Sequence, residues 1–67
     1  MYIRKHRESL NMTQSQLALQ LGVSRTAVAM WETGVNFPSV PLLIKLSEIF
    51  NCTIDELVKG EKENGIN

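Results

Sequence analysis

The stretch "TQSQLALQLGVSRTAVAMWETG", residues 13–34, contains the signals for two helices and for the corner between them. Thr13 is followed three residues later by a glutamine, which is the spacing of a capping box at a helix start. Ser24 is a favourable N-cap for a second helix, and Gly22 supplies the backbone freedom that the intervening turn needs. The stretch therefore predicts a tight αα corner of two short helices, at about residues 14–21 and 25–33.

The rest of the chain predicts three further helices and no strands. Apolar residues recur at helical spacing on both sides of the central stretch. Asn51 tolerates the left-handed conformation that ends a helix, and Thr53 is a favourable N-cap for the next one. The predicted elements are helices at about residues 2–10, 40–50 and 54–59, within one domain at residues 1–60, and a flexible polar tail at residues 61–67.

Length and cysteine content limit the class of protein. A chain of 67 residues is expected to form one domain. Cys52, its single cysteine, excludes an internal disulfide and a cysteine cluster for zinc, so neither a metal nor a cofactor is expected. No apolar run approaches the length of a membrane span, and the charged N-terminus lacks the apolar region of a signal peptide. We therefore expect a cytoplasmic protein with no membrane partner.

The charges are balanced overall but unevenly distributed. Residues 1–31 carry four basic and one acidic side chain, whereas residues 32–67 carry three basic and six acidic ones. Such a dipolar protein can present its positive end to a polyanion. An ordinary scatter of charges explains the same numbers equally well, so charge alone does not decide between these interpretations.

The helix predicted at residues 25–33 has an unusual outward face. On a helical wheel, Val28 and Trp31 fall on the inward side. The opposite side is small and mostly uncharged, whereas a helix that only needs to be soluble usually carries lysines and glutamates there. This face is predicted to lie against another molecule, and its residues are Arg25, Thr26, Ala29 and Thr33, with Met30 at the edge.

The whole pattern resembles the helix-turn-helix of phage repressor and Cro-type (XRE-like) regulators. The resemblance continues through "NFPSVPLLIKLSEIFNCTIDEL" and covers about residues 2–60. It implies an all-α, compact five-helix, lambda-repressor-like domain that binds double-stranded operator DNA as a transcriptional repressor. The positions that carry the resemblance are Gln14, Leu17, Ala18, Leu21, Gly22, Val23, Ser24, Val28, Trp31, Glu32 and Gly34.

Specific roles follow for the residues of this interface. Arg25 stands at the end of its helix that enters the major groove first, where a guanidinium can donate two hydrogen bonds to guanine. Thr26, Ala29 and Met30 are expected to contact neighbouring base edges, although Met30 is equally well explained as a core residue. Polar or basic side chains near the helix starts are expected to contact phosphates, and they are Gln14, Ser24, Thr33, Arg4 and Lys5.

Two further sets of residues are predicted to hold the domain and its dimer together. Arg7 and Glu32 resemble an arginine–glutamate pair that ties the first and third helices together in the family. A single helix reads too few base pairs for a specific site, so a weak homodimer on a palindromic operator is expected. Apolar side chains near the third loop and the last helix are the predicted contacts, and they are Phe37, Val40, Ile54 and Val58.

The chain departs from the family pattern at two places. His6 stands where the family often has an apolar residue, and we interpret it as a partly buried helix residue, with Cys52 as a structural thiol. The loop "VNFPS", residues 35–39, carries no positive charge, whereas basic residues often contact phosphate from this loop in the family. The affinity for DNA is therefore expected to be modest and its salt dependence shallow.

Other function classes find less support in the sequence. No nucleophile–base pair, paired carboxylates or phosphate-binding glycine loop indicates an enzyme, and no small-molecule ligand is expected. The main alternative is a protein-interaction module with the same fold, such as an antitoxin-like or anti-repressor adaptor. The neutral net charge and the uncharged loop favour that alternative, whereas the outward face of the third helix favours DNA.

Overall fold

The computed structural model describes residues 1–60. These residues contain five helices and no strand. The predicted all-α, compact five-helix fold is confirmed. The tail predicted at residues 61–67 lies outside the described residues. In chain order the helices are α1 (Ile3–Ser9), α2 (Gln14–Leu21), α3 (Arg25–Thr33), α4 (Val40–Phe50) and α5 (Ile54–Lys59).

The helix starts and ends follow from local chemistry. The Thr13 hydroxyl accepts a hydrogen bond from the backbone N–H of Gln16, whose side chain in turn accepts one from the backbone N–H of Thr13. Thr53 forms the same capping box at the start of α5, and the Ser24 hydroxyl caps α3. Gly22 ends α2 with a φ of 73°, in the left-handed region that glycine adopts without steric cost.

The helices bury one apolar core that holds α3 in place. Leu17 of α2 and Val28 of α3 are both fully buried. Ala18 is small and buried, which allows α2 and α3 to approach closely where they pack together. The buried apolar residues are Ile3, Leu17, Ala18, Leu21, Val28, Trp31, Leu46, Phe50 and Leu57.

The first and last helices close the structure against α4 and against each other. The backbone N–H of Tyr2 donates to the carbonyl of Leu57 at 2.8 Å. The ring of His6, which is half-buried, stacks on Phe50 with 5.4 Å between ring centroids. Cys52 is half-buried, and this burial raises the pKa of its thiol. The negative charge of the nearby Glu56 carboxylate raises that pKa further, by a smaller amount. His6 and Cys52 therefore both take part in packing.

No helix within residues 1–60 has the length and apolarity needed to cross a membrane.

Candidate nucleic-acid interface

The predicted outward face of α3 is exposed at its two ends and half-buried between them. Arg25 and Thr26 are exposed at the start of the helix, and Thr33 is exposed at its end. Ala29 and Met30, between them, are half-buried. The face therefore carries mostly small, uncharged side chains, with one guanidinium at its N-terminal end.

Arg7 and Glu32 form an ion pair between α1 and α3. The Nε atom of Arg7 donates to Oε2 of Glu32 at 2.7 Å, and Nη2 donates to Oε1 at 3.2 Å. Nη1 of Arg7 also donates to the carbonyl of Met12 at 2.7 Å, in the loop between α1 and α2. The two side chains are only 10% and 4% exposed, so both charges depend on each other for stabilisation.

The pair shifts the pKa values of both partners. Burial by itself would raise the pKa of the Glu32 carboxyl, but the hydrogen bonds from Arg7 and Gln14 and the nearby positive charges together outweigh it, so the pKa is lowered from its ordinary value of 4.5. The hydrogen bond to Glu32 raises the pKa of Arg7 against the opposing effect of burial. The positive charge of Arg4 also lowers the pKa of Glu32, and so Arg4 acts electrostatically on this pair.

Gln14 connects the ion pair to the surface of α3. Its Nε2 atom donates to Oε1 of Glu32 at 3.0 Å, and its Oε1 atom accepts from Nη1 of Arg25 at 2.9 Å. Sequence reasoning treated Gln14 and Arg25 as independent contacts and missed this connection. One signal was available: Glu32 follows Arg25 by seven residues, which places the two within about 20° on a helical wheel.

The other predicted phosphate contacts lie around the same corner or on α1. The Ser24 hydroxyl accepts from the N–H of Ala27 at 3.1 Å, so its proton remains available to a ligand. The Thr33 hydroxyl donates to backbone carbonyls of its own helix. Arg4 is exposed and pairs with Glu8 at 3.2 Å, and Lys5 is exposed on α1. Their roles toward phosphate stay predictions.

A comparison with known protein families identifies the family to which this chain belongs. A family model described as helix-turn-helix matches residues 3–57. The chain belongs to the helix-turn-helix family. No solved structure is significantly similar to it.

The relatives of this helix-turn-helix domain are transcriptional regulators. It is 47% identical to the HTH-type transcriptional activator BcrR of Enterococcus faecalis over 60 residues, which are 90% of this chain and 29% of that protein. It is 33% identical to the cryptic phage CTXphi transcriptional repressor RstR of Vibrio cholerae, over 82% of this chain and 49% of that protein. It is 36% identical to repressor protein C2 of Salmonella phage P22, over 88% of this chain and 27% of that protein.

These matches confirm the resemblance to phage repressors and the predicted class, a DNA-binding transcriptional regulator. The alternative of a protein-interaction adaptor finds no support in them. The domain spans less than half the length of these three relatives.

The four predicted dimer residues are exposed. Phe37 and Val40 are 70% and 67% exposed, in the α3–α4 loop and at the start of α4. Ile54 and Val58 are exposed on α5, which packs against α4. We call these four residues the apolar surface. Its role in dimerisation stays a prediction.

Breaking the ion pair is expected to cost more than removing it. Arg7→Met or Glu32→Leu alone should destabilise the domain by roughly 3–5 kcal/mol, because each leaves the other charge buried and unpaired. The double variant should recover part of this loss, although the carbonyl of Met12 still lacks its donor. Urea unfolding of all four proteins, with trimethylamine N-oxide present to keep the variants folded, measures the coupling. If the losses of unfolding free energy in the two single variants simply added in the double variant, the coupling between Arg7 and Glu32 would be contradicted.

Acid should remove the contribution of Glu32 to stability. Since its pKa is lower in the folded state than the ordinary value of 4.5, the contribution is complete above that pH and is lost as the pH falls through the folded-state pKa. The difference in unfolding free energy between the wild type and Glu32→Gln should be constant near neutral pH and should shrink in acid. A difference that stays constant into strong acid would show that the carboxylate contributes nothing through its charge.

Proposed function

We propose that this domain recognises a specific DNA operator by placing α3 in the major groove, and that it represses transcription by occupying the operator. The observation that carries the proposal is the exposed start of α3, where the guanidinium of Arg25 is anchored on Gln14. A protein that acts on operator DNA works where the DNA is, so we place it in the cytoplasm of a bacterial cell.

The start of α3 offers the chemistry that base recognition requires. Arg25 gives one donor to Gln14 and keeps its other guanidinium donors, which match the O6 and N7 acceptors of guanine. Thr26 can bond a neighbouring base edge. Ala29 and Met30 offer apolar contact that suits the methyl group of thymine. Each half-site is therefore expected to contain a guanine with thymine-rich neighbours.

Contacts to the DNA backbone come mainly from the α2 start and from α1. Gln14 uses one of its two amide hydrogens for Glu32 and keeps the second for a phosphate oxygen. The Ser24 hydroxyl proton and the positive charges of Arg4 and Lys5 can supplement it. Because the loop at residues 35–39 carries no positive charge, few phosphates are neutralised and the salt dependence stays shallow.

A second copy of the domain would complete the recognition. One α3 covers only a few base pairs, whereas two copies on half-sites about one helical turn apart read a palindromic operator. The apolar surface is exposed and uncharged, which suits a two-fold contact between identical patches. With four apolar side chains the interface is small, so the dimer is expected to be weak without DNA.

Arg25→Ala is the test of the proposed reading. Selection of bound duplexes from a random pool should return a motif with a guanine for the wild type, and a motif with relaxed preference at that one position for Arg25→Ala. The affinity for the wild-type site should fall by roughly 1–3 kcal/mol. Gln14→Ala should weaken binding to all sequences.

Lys45→Ala provides the matched control, because it also removes one exposed positive charge but lies on α4 and not on α3. Its selected motif should equal that of the wild type. If Arg25→Ala returned the unchanged wild-type motif with merely weaker affinity, Arg25 would contact only phosphate and this reading would be wrong.

Dimerisation should depend on DNA and on the apolar surface. Sedimentation should find the free wild type mainly monomeric at micromolar concentration, and two copies on a palindromic duplex. Phe37→Ser should leave binding to a single half-site unchanged while removing cooperative binding to the second. A footprint that covers one non-palindromic half-site would contradict the dimer.

A further inference from the structure

We propose that Glu32 is a positioning residue for base recognition: through the amide of Gln14 it fixes the guanidinium of Arg25 at the start of α3. The inference rests on the proposed function and deepens it, because it assigns a role in specificity to a buried residue that cannot reach the DNA. Glu32 is then more than the partner of Arg7.

The two ends of the Gln14 amide face groups of opposite charge. Its nitrogen faces the carboxylate of Glu32 at 3.0 Å, and its oxygen faces the guanidinium of Arg25 at 2.9 Å. A flipped amide would place its oxygen against a carboxylate oxygen, and its NH₂ group against a guanidinium, which has donors only. Both contacts would be repulsive. The charges at the two ends of the amide therefore select one orientation.

The carboxylate of Glu32 is held in a fixed position. Its carboxylate is held by two hydrogen bonds from Arg7, and its side chain is only 4% exposed. It cannot move to suit a reoriented amide. Gln14, by contrast, is half-buried at the start of α2, and Arg25 is exposed. The position of each group is thus determined from the buried carboxylate outwards.

The oriented amide of Gln14 in turn restricts the guanidinium of Arg25. An exposed arginine samples many rotamers, and ordering it on binding costs conformational entropy. The hydrogen bond to Gln14 holds one Nη1 hydrogen and restricts the directions in which the remaining donors point. A bidentate contact to guanine demands such fixed geometry. Without the carboxylate of Glu32, the amide can turn its NH₂ group toward Arg25 and displace the guanidinium.

The measurement that isolates this role is a ratio of affinities. Two duplexes are compared that differ only in the base pair at which Arg25→Ala relaxes the preference. The ratio is the dissociation constant for the duplex with the disfavoured base pair divided by that for the duplex with the preferred one. A partly unfolded variant binds both duplexes more weakly by the same factor, so this ratio is independent of folding. A variant that only lowers the stability of the domain therefore keeps the wild-type ratio.

Three variants of the whole chain complete the experiment: Glu32→Gln, Gln14→Met and the double variant, all with trimethylamine N-oxide present. Each single variant should lower the ratio by about twofold to tenfold, as expected for one lost hydrogen bond. The double variant should lower it no further than Gln14→Met alone. The control Leu57→Val destabilises the core at a fully buried residue of α5 and should retain the wild-type ratio.

The outcomes separate this inference from the proposed function. If the wild type discriminates between the duplexes and Glu32→Gln discriminates equally well, the inference is overturned and the proposed function stands. Losses that multiply in the double variant also overturn it, because Glu32 would then act independently of Gln14. A wild type that binds all duplexes equally overturns both.

Discussion

The buried ion pair between Arg7 and Glu32 is the contact on which the orientation of α3 depends. It joins α1 to α3 through two hydrogen bonds, and the third donor of Arg7 holds the loop before α2. Two helices and the loop that precedes a third thus meet at one guanidinium. A small apolar core excludes water but is less directional than hydrogen bonds. The pair adds a defined geometry at the side of α3 that bears the proposed binding surface.

The proposed interface uses little charge. The net charge is zero, and the basic residues of the N-terminal half lie on α1 and at the start of α3. With few phosphates neutralised, the non-specific component of DNA binding is small. In the proposed function, discrimination between sequences then rests on the geometry of a few side chains, foremost Arg25. This requirement explains why a hydrogen-bonded arrangement that restrains Arg25 would be useful in this domain.

Local chemistry made the fold predictable from the sequence, whereas the hydrogen-bond network was not. Capping by Thr13 and Ser24 and the left-handed backbone at Gly22 act within a few residues, so the spacing of those residues reveals them. The pairing of Arg7 with Glu32 was available only through the family resemblance. The position of Gln14 between Glu32 and Arg25 depends on how α2 crosses α3, which no local pattern specifies.

The central claim, that Arg25 contacts a guanine in the major groove, is tested most directly at a single atom. In the selected operator, each guanine is replaced in turn by 7-deazaguanine, which lacks the N7 acceptor but pairs normally. The account predicts that one substitution per half-site weakens binding of the wild type and has no effect on Arg25→Ala. Equal losses for both proteins, or no loss for the wild type at any guanine, would contradict it.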